Sequence, residues 1–148
     1  MVKFIGEYRA KVDDKGRLVF PSAFKAVMGE APLHFIVKKD PFDPCLCIYT
    51  DIEWEKMSED IKSRLNFFNP EHNRLWRIFM SNRAAVEPDP KLGRIAIPKL
   101  LLDMIQVKKD VVFKGLDHKI ELWAAELSDS MVCTSENEAL LAERILGK

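Results

Sequence analysis

Two short segments of the sequence carry the residue types best suited to recognition chemistry. Residues 13–17 read DDKGR and residues 89–94 read DPKLGR, so each places a lysine and a Gly-Arg pair after an aspartate. A lysine ammonium can neutralise phosphate, and the rigid arginine fork can donate two hydrogen bonds to O6 and N7 of guanine. The aspartate can orient the guanidinium or the loop backbone. These segments make a set of residues candidates for contact with double-stranded DNA: Asp13, Lys15, Gly16, Arg17, Asp89, Lys91, Gly93 and Arg94.

A purely structural role for the first of these segments is an ion pair between Asp13 and Arg17 on a solvated hairpin tip. Such exposed pairs contribute little to stability. Spacing alone leaves both interpretations open. The repetition of the segment favours the functional one, because the chain then presents the same charged loop twice.

The elements around these segments repeat as well. Residues 15–21 (KGRLVFP) return as residues 92–98 (LGRIAIP), 77 positions later. A repeated unit that cannot bury its own apolar face buries it against its copy. Each copy predicts an extended strand, a glycine-containing charged loop, a short apolar strand, a helix and two further strands. We expect each loop to be a hairpin tip that carries its arginine, with glycine supplying a positive φ.

Strand alternation and helix signals predict how these elements face the core. Leu18 and Phe20 belong on one face of their strand, with Arg17 and Val19 on the other. Pro21 and Pro98 are expected at the first position of the helix that follows each short strand.

The remaining helices follow from capping residues and apolar spacing. Residues 50–53 (TDIE) form a capping box that should open a helix running to about residue 65. Residues 72–83 predict a helix whose face of Leu75, Trp76, Phe79 and Met80 packs on the β layers. A second capping box at residues 135–138 opens an amphipathic helix, expected on the outside or between subunits. The predicted domains are residues 1–65, the first repeat with its helix; 66–83, a connecting helix; 84–134, the second repeat; and 135–148, the C-terminal helix.

Composition limits the class of protein. The chain has 148 residues, 47% of them hydrophobic, which is enough for one globular core. Its 23 basic and 23 acidic residues cancel, so binding to DNA must come from local clusters. Three cysteines are too few for a secreted disulfide scaffold and favour the cytoplasm. No apolar run reaches the roughly 18 residues of a membrane helix, so neither a membrane nor an export signal is expected.

Other chemistries are less well supported by the residues. Cys45, Cys47 and Cys133 could suggest zinc, but the two-residue spacing of common zinc sites is missing, which favours packed strand cysteines and no metal. Asp13 and Asp14 are adjacent on a loop and should lack the burial that tunes catalytic carboxyls. The motifs of hydrolases, phosphate-binding loops and zinc proteases are absent, so we expect no enzyme and no small-molecule substrate. The three tryptophans are expected in core packing.

The order and spacing of the motifs resemble the MraZ family of bacterial transcriptional regulators over nearly the whole chain. The segments that carry the resemblance are residues 6–8 (GEY), 13–21 (DDKGRLVFP), 73–79 (NRLWRIF) and 93–98 (GRIAIP). The family mark, Asp-x-x-x-Arg in each half, maps onto Asp13 and Arg17. In the second half Pro90 stands four residues before Arg94 and Asp89 stands five before, so one residue is inserted. The first loop is therefore the stronger candidate for DNA contact.

The resemblance implies a mainly β, α+β fold with two tandem AbrB-like swapped-hairpin β-barrel units related by a pseudo-two-fold axis. It also implies a homo-oligomeric ring that binds G-rich direct repeats in its own promoter and represses the division and cell-wall gene cluster. We therefore predict a cytoplasmic, nucleoid-associated DNA-binding repressor without a cofactor. The alternative is an antitoxin-like protein-interaction module of the same fold, whose loops bind a partner protein.

Overall fold

A computed structural model of the chain describes residues 2–131 and 135–147. The expected packing of Cys133 lies outside the described residues. The helices and strands, in chain order, are β1 (Phe4–Lys11), β2 (Arg17–Val19), α1 (Ser22–Met28), β3 (Phe35–Lys39), β4 (Leu46–Thr50), α2 (Asp51–Ser63), α3 (Pro70–Phe79), β5 (Arg83–Val86), β6 (Arg94–Ala96), α4 (Lys99–Met104), β7 (Asp110–Asp117), β8 (Ile120–Ala124), α5 (Ala125–Ser130) and α6 (Ser135–Leu146).

Both halves contain the predicted series of strand, loop, short strand, helix and two strands. Six strands form one antiparallel sheet in the order β1-β7-β8-β4-β3-β5, and β2 pairs with β6 in a separate two-stranded ribbon. When each strand is replaced by its counterpart in the other repeat, the same strand order results, read in the opposite direction. The halves are therefore related by a pseudo-two-fold axis that passes between β4 and β8.

The charged loops are not the tips of local hairpins, which corrects the local pairing expected from the sequence. β1 pairs with β7 of the second half, and β5 pairs with β3 of the first. The short strands also pair across the halves, with Leu18 opposite Ile95. Hydrogen bonds extend this ribbon at both ends: Phe20 N donates to Gly93 O at 2.9 Å, and Ile97 N donates to Gly16 O at 2.9 Å. The hairpins are thus swapped between the two halves, as the family resemblance implied.

The mainly β, α+β fold class with two tandem units is confirmed, but its β-barrel description is not. Among the described strands the large sheet is open, with β1 and β5 at its edges. Its inner face and the ribbon enclose one core that takes side chains from both halves. The largest fully buried rings are Phe4, Phe20, Phe24, Phe35 and Phe113. Burying one such side chain contributes about 1.5–3 kcal/mol.

Several helix predictions need correction. Pro21 and Pro98 are the N-cap residues of α1 and α4 rather than their first helical residues, because their ψ angles of 128° and 135° are extended. The helix predicted for residues 72–83 ends at Phe79, and Arg83 already begins β5.

Of the helices between the two repeats, α2 packs on β3 and β4, and α3 contacts α2 through an aromatic stack. Thr50 caps α2 by accepting a hydrogen bond from Glu53 N at 3.1 Å, and α2 ends at Ser63, two residues before the predicted end. Phe79 of α3 stacks on Trp54 of α2 with ring centroids 5.2 Å apart. Leu75, by contrast, is 53% exposed, so the predicted apolar face of α3 is only partly used for packing.

Within residues 2–131 and 135–147, no helix combines the length and the apolar composition that crossing a bilayer requires.

The crossing of the halves makes Gly16 a sensitive position for stability. Its φ is +79°, and an added Cβ would lie 2.5 Å from Ile97 O of the other half. Gly29 also has a positive φ, +59°, but has open space where a Cβ would lie. We expect Gly29→Ala to lower the free energy of unfolding by about 1–3 kcal/mol, for backbone conformation alone, and Gly16→Ala to lower it by more. Urea denaturation at equal protein concentration measures both, and equal losses would contradict the close approach of the two halves.

Candidate nucleic-acid interface

The first loop, residues 13–17, is organised by the carboxylate of Asp13. Asp13 Oδ1 accepts hydrogen bonds from Lys15 N at 2.9 Å and Arg17 N at 2.8 Å. Asp13 Oδ2 accepts from Arg17 Nε at 2.8 Å. Backbone bonds from Asp13 N to Arg17 O and from Gly16 N to Asp13 O close the loop. The aspartate therefore fixes both the loop backbone and the direction of the guanidinium.

The second loop, residues 89–94, has the same backbone plan with one more residue. Asp89 accepts hydrogen bonds from the backbone N of Lys91, Leu92 and Arg94 at 3.1, 2.6 and 3.0 Å. The side chain of Arg94 differs, because its Nε lies 3.6 Å from Asp89 Oδ2 and, within the described part of the chain, is buried without a hydrogen-bond partner. The inserted residue thus preserves the role of the aspartate toward the backbone but loosens its hold on the guanidinium.

Both aspartates are stabilised in the charged form. The pKa of Asp13 is lowered chiefly by the N–H of Arg17, with the Arg17 guanidinium and Lys15 N adding to the effect. The pKa of Asp89 is lowered chiefly by Leu92 N, then by the N–H and the charge of Arg94. Amide donors around a carboxylate favour its ionised form. The two loops therefore keep their shape at neutral pH.

The ribbon brings the two arginines onto one surface. Arg17 pairs with Ala96, and Val19 pairs with Arg94. These four residues share one face, since Leu18 and Ile95 between them are buried on the other. Arg17, Arg94 and Ala96 line a shallow concave surface together with the second loop. As predicted, the side chain of Arg17 points away from the core and is 37% exposed; that of Arg94 is 29% exposed.

The lysines around the ribbon add to its positive charge. Lys15 and Lys91 are exposed, as the sequence indicated. Lys25 of α1 was not predicted; its ammonium lies where a Cβ on Gly93 would be. No sequence signal pointed to Lys25, because its neighbour is 68 positions away in the other half. Glu87, which is exposed and also lines the concave surface, offsets part of this charge.

The residues considered for a catalytic pair, a zinc site and core packing are also located in the structure. Asp14 is exposed beside the half-buried Asp13, as expected for a loop. Cys45 and Cys47 are buried, and Trp54 and Trp123 are 7% and 5% exposed, in keeping with packed positions. Trp76 is half-buried and packs between Phe67 and Phe79.

Comparison with known proteins gives one consistent result. A family model described as "MraZ protein, putative antitoxin-like" matches residues 3–78 and again residues 79–140. A protein of Bacteroides thetaiotaomicron named "Transcriptional regulator MraZ" is 34% identical over 147 residues, covering 99% of this chain and 94% of that protein. Proteins with the same name from Dictyoglomus turgidum and Lachnoclostridium phytofermentans are 41% and 40% identical, covering 83% and 86% of this chain and 80% and 85% of their own lengths.

The difference between the loops can be measured by titration. We expect the ¹³C resonances of the Asp13 and Asp89 carboxyl groups to titrate below the ordinary pKa of about 3.9. Their hydrogen bonds stabilise the fold above that pH, and this contribution is lost as the pH falls through the lowered pKa. Arg17→Met should raise the pKa of Asp13 more than Arg94→Met raises that of Asp89, because only Arg17 donates a side-chain hydrogen bond. Equal shifts would contradict the asymmetry of the two loops.

Proposed function

Because the chain belongs to the MraZ family, we propose that it is a sequence-specific DNA-binding regulator of transcription whose ribbon of β2 and β6 enters the major groove. The observation that carries this proposal is the shared face of Arg17 and Arg94 on a two-stranded antiparallel ribbon. B-DNA admits such a ribbon in its major groove, which is about 12 Å wide. The names of the relatives support the same class of function.

The contacts within this proposal divide into two kinds. Arg17 and Arg94 would each pair with O6 and N7 of a guanine, the common specific contact of arginine in the major groove. Because Asp13 binds Arg17 through Nε, the two Nη atoms stay at the end of the side chain that faces a base. Lys15 and Lys91, with Lys25 beside them, would neutralise phosphates and position the ribbon. Preference for G-rich sites follows from the arginine contacts.

The balanced charge of the chain argues that several subunits act together. We propose a homo-oligomeric ring that displays many ribbons, so that weak contacts gain effective concentration on direct DNA repeats. The exposed apolar side chains support subunit contacts outside the ribbon. On α3 they are Leu75 and Ile78, and on α6 they are Leu140, Leu141, Ile145 and Leu146.

We further propose that the protein represses transcription in the cytoplasm, at the nucleoid. The operator would be direct repeats in the protein's own promoter, upstream of the division and cell-wall genes.

The second candidate is a protein-interaction module, favoured by the words "antitoxin-like" in the family description. Salt dependence separates the two, since DNA binding weakens steeply with salt as counterions are released.

Mobility shifts with the protein's own promoter test the two kinds of contact. We expect Arg17→Ala to abolish the preference for promoter over random DNA, because the guanine contact is lost. Lys15→Ala should weaken binding to all DNA about equally and reduce the salt dependence, as expected for a phosphate contact. Lys62→Ala, which removes an exposed lysine of α2, controls for charge alone.

Two results would contradict this proposal. Equal loss of promoter preference from Arg17→Ala and Lys15→Ala would mean that Arg17 touches only phosphate. A wild-type protein that fails to shift its promoter at low salt would favour the protein-interaction module.

The role of the oligomer is tested by disrupting α6. The double variant Leu141→Glu/Ile145→Glu places charges one helical turn apart on an exposed apolar stripe. We expect its mass, measured by light scattering after gel filtration, to fall below that of the wild type, and its affinity for repeated sites to fall with it. Affinity for a single site should change little. A monomeric protein with wild-type affinity for the repeats would contradict the ring proposal.

A further inference from the structure

Four side chains with metal-binding atoms converge on the outer face of the large sheet. They are Asp40, Cys45, Cys47 and Glu121, and one ligand atom from each lies within 4.8 Å of all the others. Both thiols are buried, with 0% and 1% exposure, and both carboxylates are half-buried. The cluster lies on β4, β8 and the turn between β3 and β4, away from the β2–β6 ribbon in the strand order.

Strand pairing explains why these side chains meet. Cys47 of β4 lies directly opposite Glu121 of β8. Cys45 lies directly before β4, and its Sγ is within 4.8 Å of the other three ligand atoms. The turn that joins β3 to β4 returns Asp40 to the same place, where Asp40 N donates a hydrogen bond to Cys45 O at 3.0 Å. The convergence thus results from the swapped sheet and not from a local sequence motif.

The carboxylates are held in place by further hydrogen bonds. Asp40 Oδ2 accepts from Phe42 N at 3.0 Å and Asp43 N at 2.8 Å, while Oδ1 faces Cys47 Sγ at 3.4 Å. Glu121 Oε1 accepts from Trp123 Nε1 at 2.9 Å. Such outer hydrogen bonds are the usual means of orienting metal ligands.

We propose that Asp40, Cys45, Cys47 and Glu121 form a four-ligand binding site for a thiophilic divalent cation, Zn²⁺, that fastens the β3–β4 turn to β8. With Zn–S bonds of about 2.3 Å and Zn–O bonds of about 2.0 Å, the edges of a tetrahedral site measure roughly 3.3–3.8 Å. The 3.4 Å between Cys47 Sγ and Asp40 Oδ1 already has this length. Small side-chain rotations bring the remaining atoms into range from 4.8 Å or less.

The ligand types select the metal. Mg²⁺ and Ca²⁺ prefer oxygen ligands and therefore do not suit a site with two thiolates. Cu⁺ prefers sulfur ligands and does not suit a site with two carboxylates. A mixed sulfur and oxygen set of four suits the borderline-soft Zn²⁺ in tetrahedral geometry.

A neighbouring lysine lies beside two of the proposed ligands. Lys119 Nζ lies 3.8 Å from Cys47 Sγ and 3.7 Å from Glu121 Oε2. With Zn²⁺ bound, the four ligands carry four negative charges, and Lys119 reduces the remaining charge of the site from −2 to −1.

Cobalt is the probe for this site, because tetrahedral Co²⁺ with thiolate ligands absorbs strongly in the visible range and shows a sulfur-to-metal band in the near ultraviolet. The full chain carrying Cys133→Ser, which removes the third thiol, is titrated with Co²⁺ under reducing conditions and the cobalt is then displaced by Zn²⁺. We expect one Co²⁺ per chain with both spectral features and loss of both on adding one equivalent of Zn²⁺. Zn²⁺ should also raise the Tm of the wild-type chain.

Conservative variants identify the ligands. Asp40→Asn and Glu121→Gln should each lower the affinity for Co²⁺ at least about tenfold, and the Zn²⁺-dependent rise in Tm should shrink with them. Asp43→Asn is the matched control, since it removes a carboxylate of the same turn that lies outside the cluster. Circular dichroism before titration confirms that each variant is folded, and the wild-type Tm measurement needs no variant.

Three results would overturn the proposal. They are octahedral Co²⁺ spectra without a sulfur band, equal affinity losses in Asp43→Asn and Asp40→Asn, and a wild-type Tm that does not respond to Zn²⁺. DNA binding is measured separately, so failure of the metal site and failure of the ribbon as a DNA contact are distinguishable.

Discussion

The antiparallel pairing of β2 with β6 is the constraint on which the rest of the structure depends. Each strand has only three residues, and each comes from a different half of the chain. The pairing buries Leu18 against Ile95 beneath the ribbon and leaves the arginine of each half on top. Without it, each half would expose its apolar face and present a single arginine. The same contact therefore closes the core and assembles the candidate interface, which explains why the close approach at Gly16 matters to both.

The two aspartates show how a loop can be fixed without burial. Each carboxylate accepts at least two backbone amides of its own loop, so the loop shape depends on a local network and not on the core below it. A local network tolerates one inserted residue, because the additional amide of Leu92 also turns toward Asp89. The guanidinium of Arg94 does not follow the aspartate, since the backbone position of Arg94 is set by pairing with Val19 and its Nε stays 3.6 Å from Asp89 Oδ2. Insertion therefore loosens the ion pair while preserving the backbone.

The sequence predicts which side chains of a strand face the core, but it does not predict which strands pair. Alternation placed Leu18 and Phe20 inside with Arg17 outside, because burial depends only on the pleat of a strand. Partners depend on contacts between distant residues, so β2 could not be assigned to β6 from its own residues; only the resemblance to a swapped fold implied it. For the same reason the neighbours of Cys47 were missed, since Glu121 is 74 positions away. The spacing of the cysteines along the chain argues against a zinc motif, whereas strand pairing brings four candidate metal ligands together.

The pseudo-two-fold symmetry of the ribbon affects the orientation in which it would bind DNA. A pseudo-two-fold ribbon in the major groove would place Arg17 and Arg94 in equivalent positions relative to the two DNA strands, which suits a palindrome and gives no direction along the duplex. The loops break that equivalence. Arg17 is held at 2.8 Å by Asp13, while Arg94 lies 3.6 Å from Asp89 and is more buried. In the proposed complex Arg17 would therefore be oriented before binding, whereas Arg94 would have to move to reach a base. In the proposed complex, a subunit with one fixed and one adjustable arginine would have a preferred orientation on DNA, and subunits that all bind in the same orientation would match direct repeats rather than inverted ones.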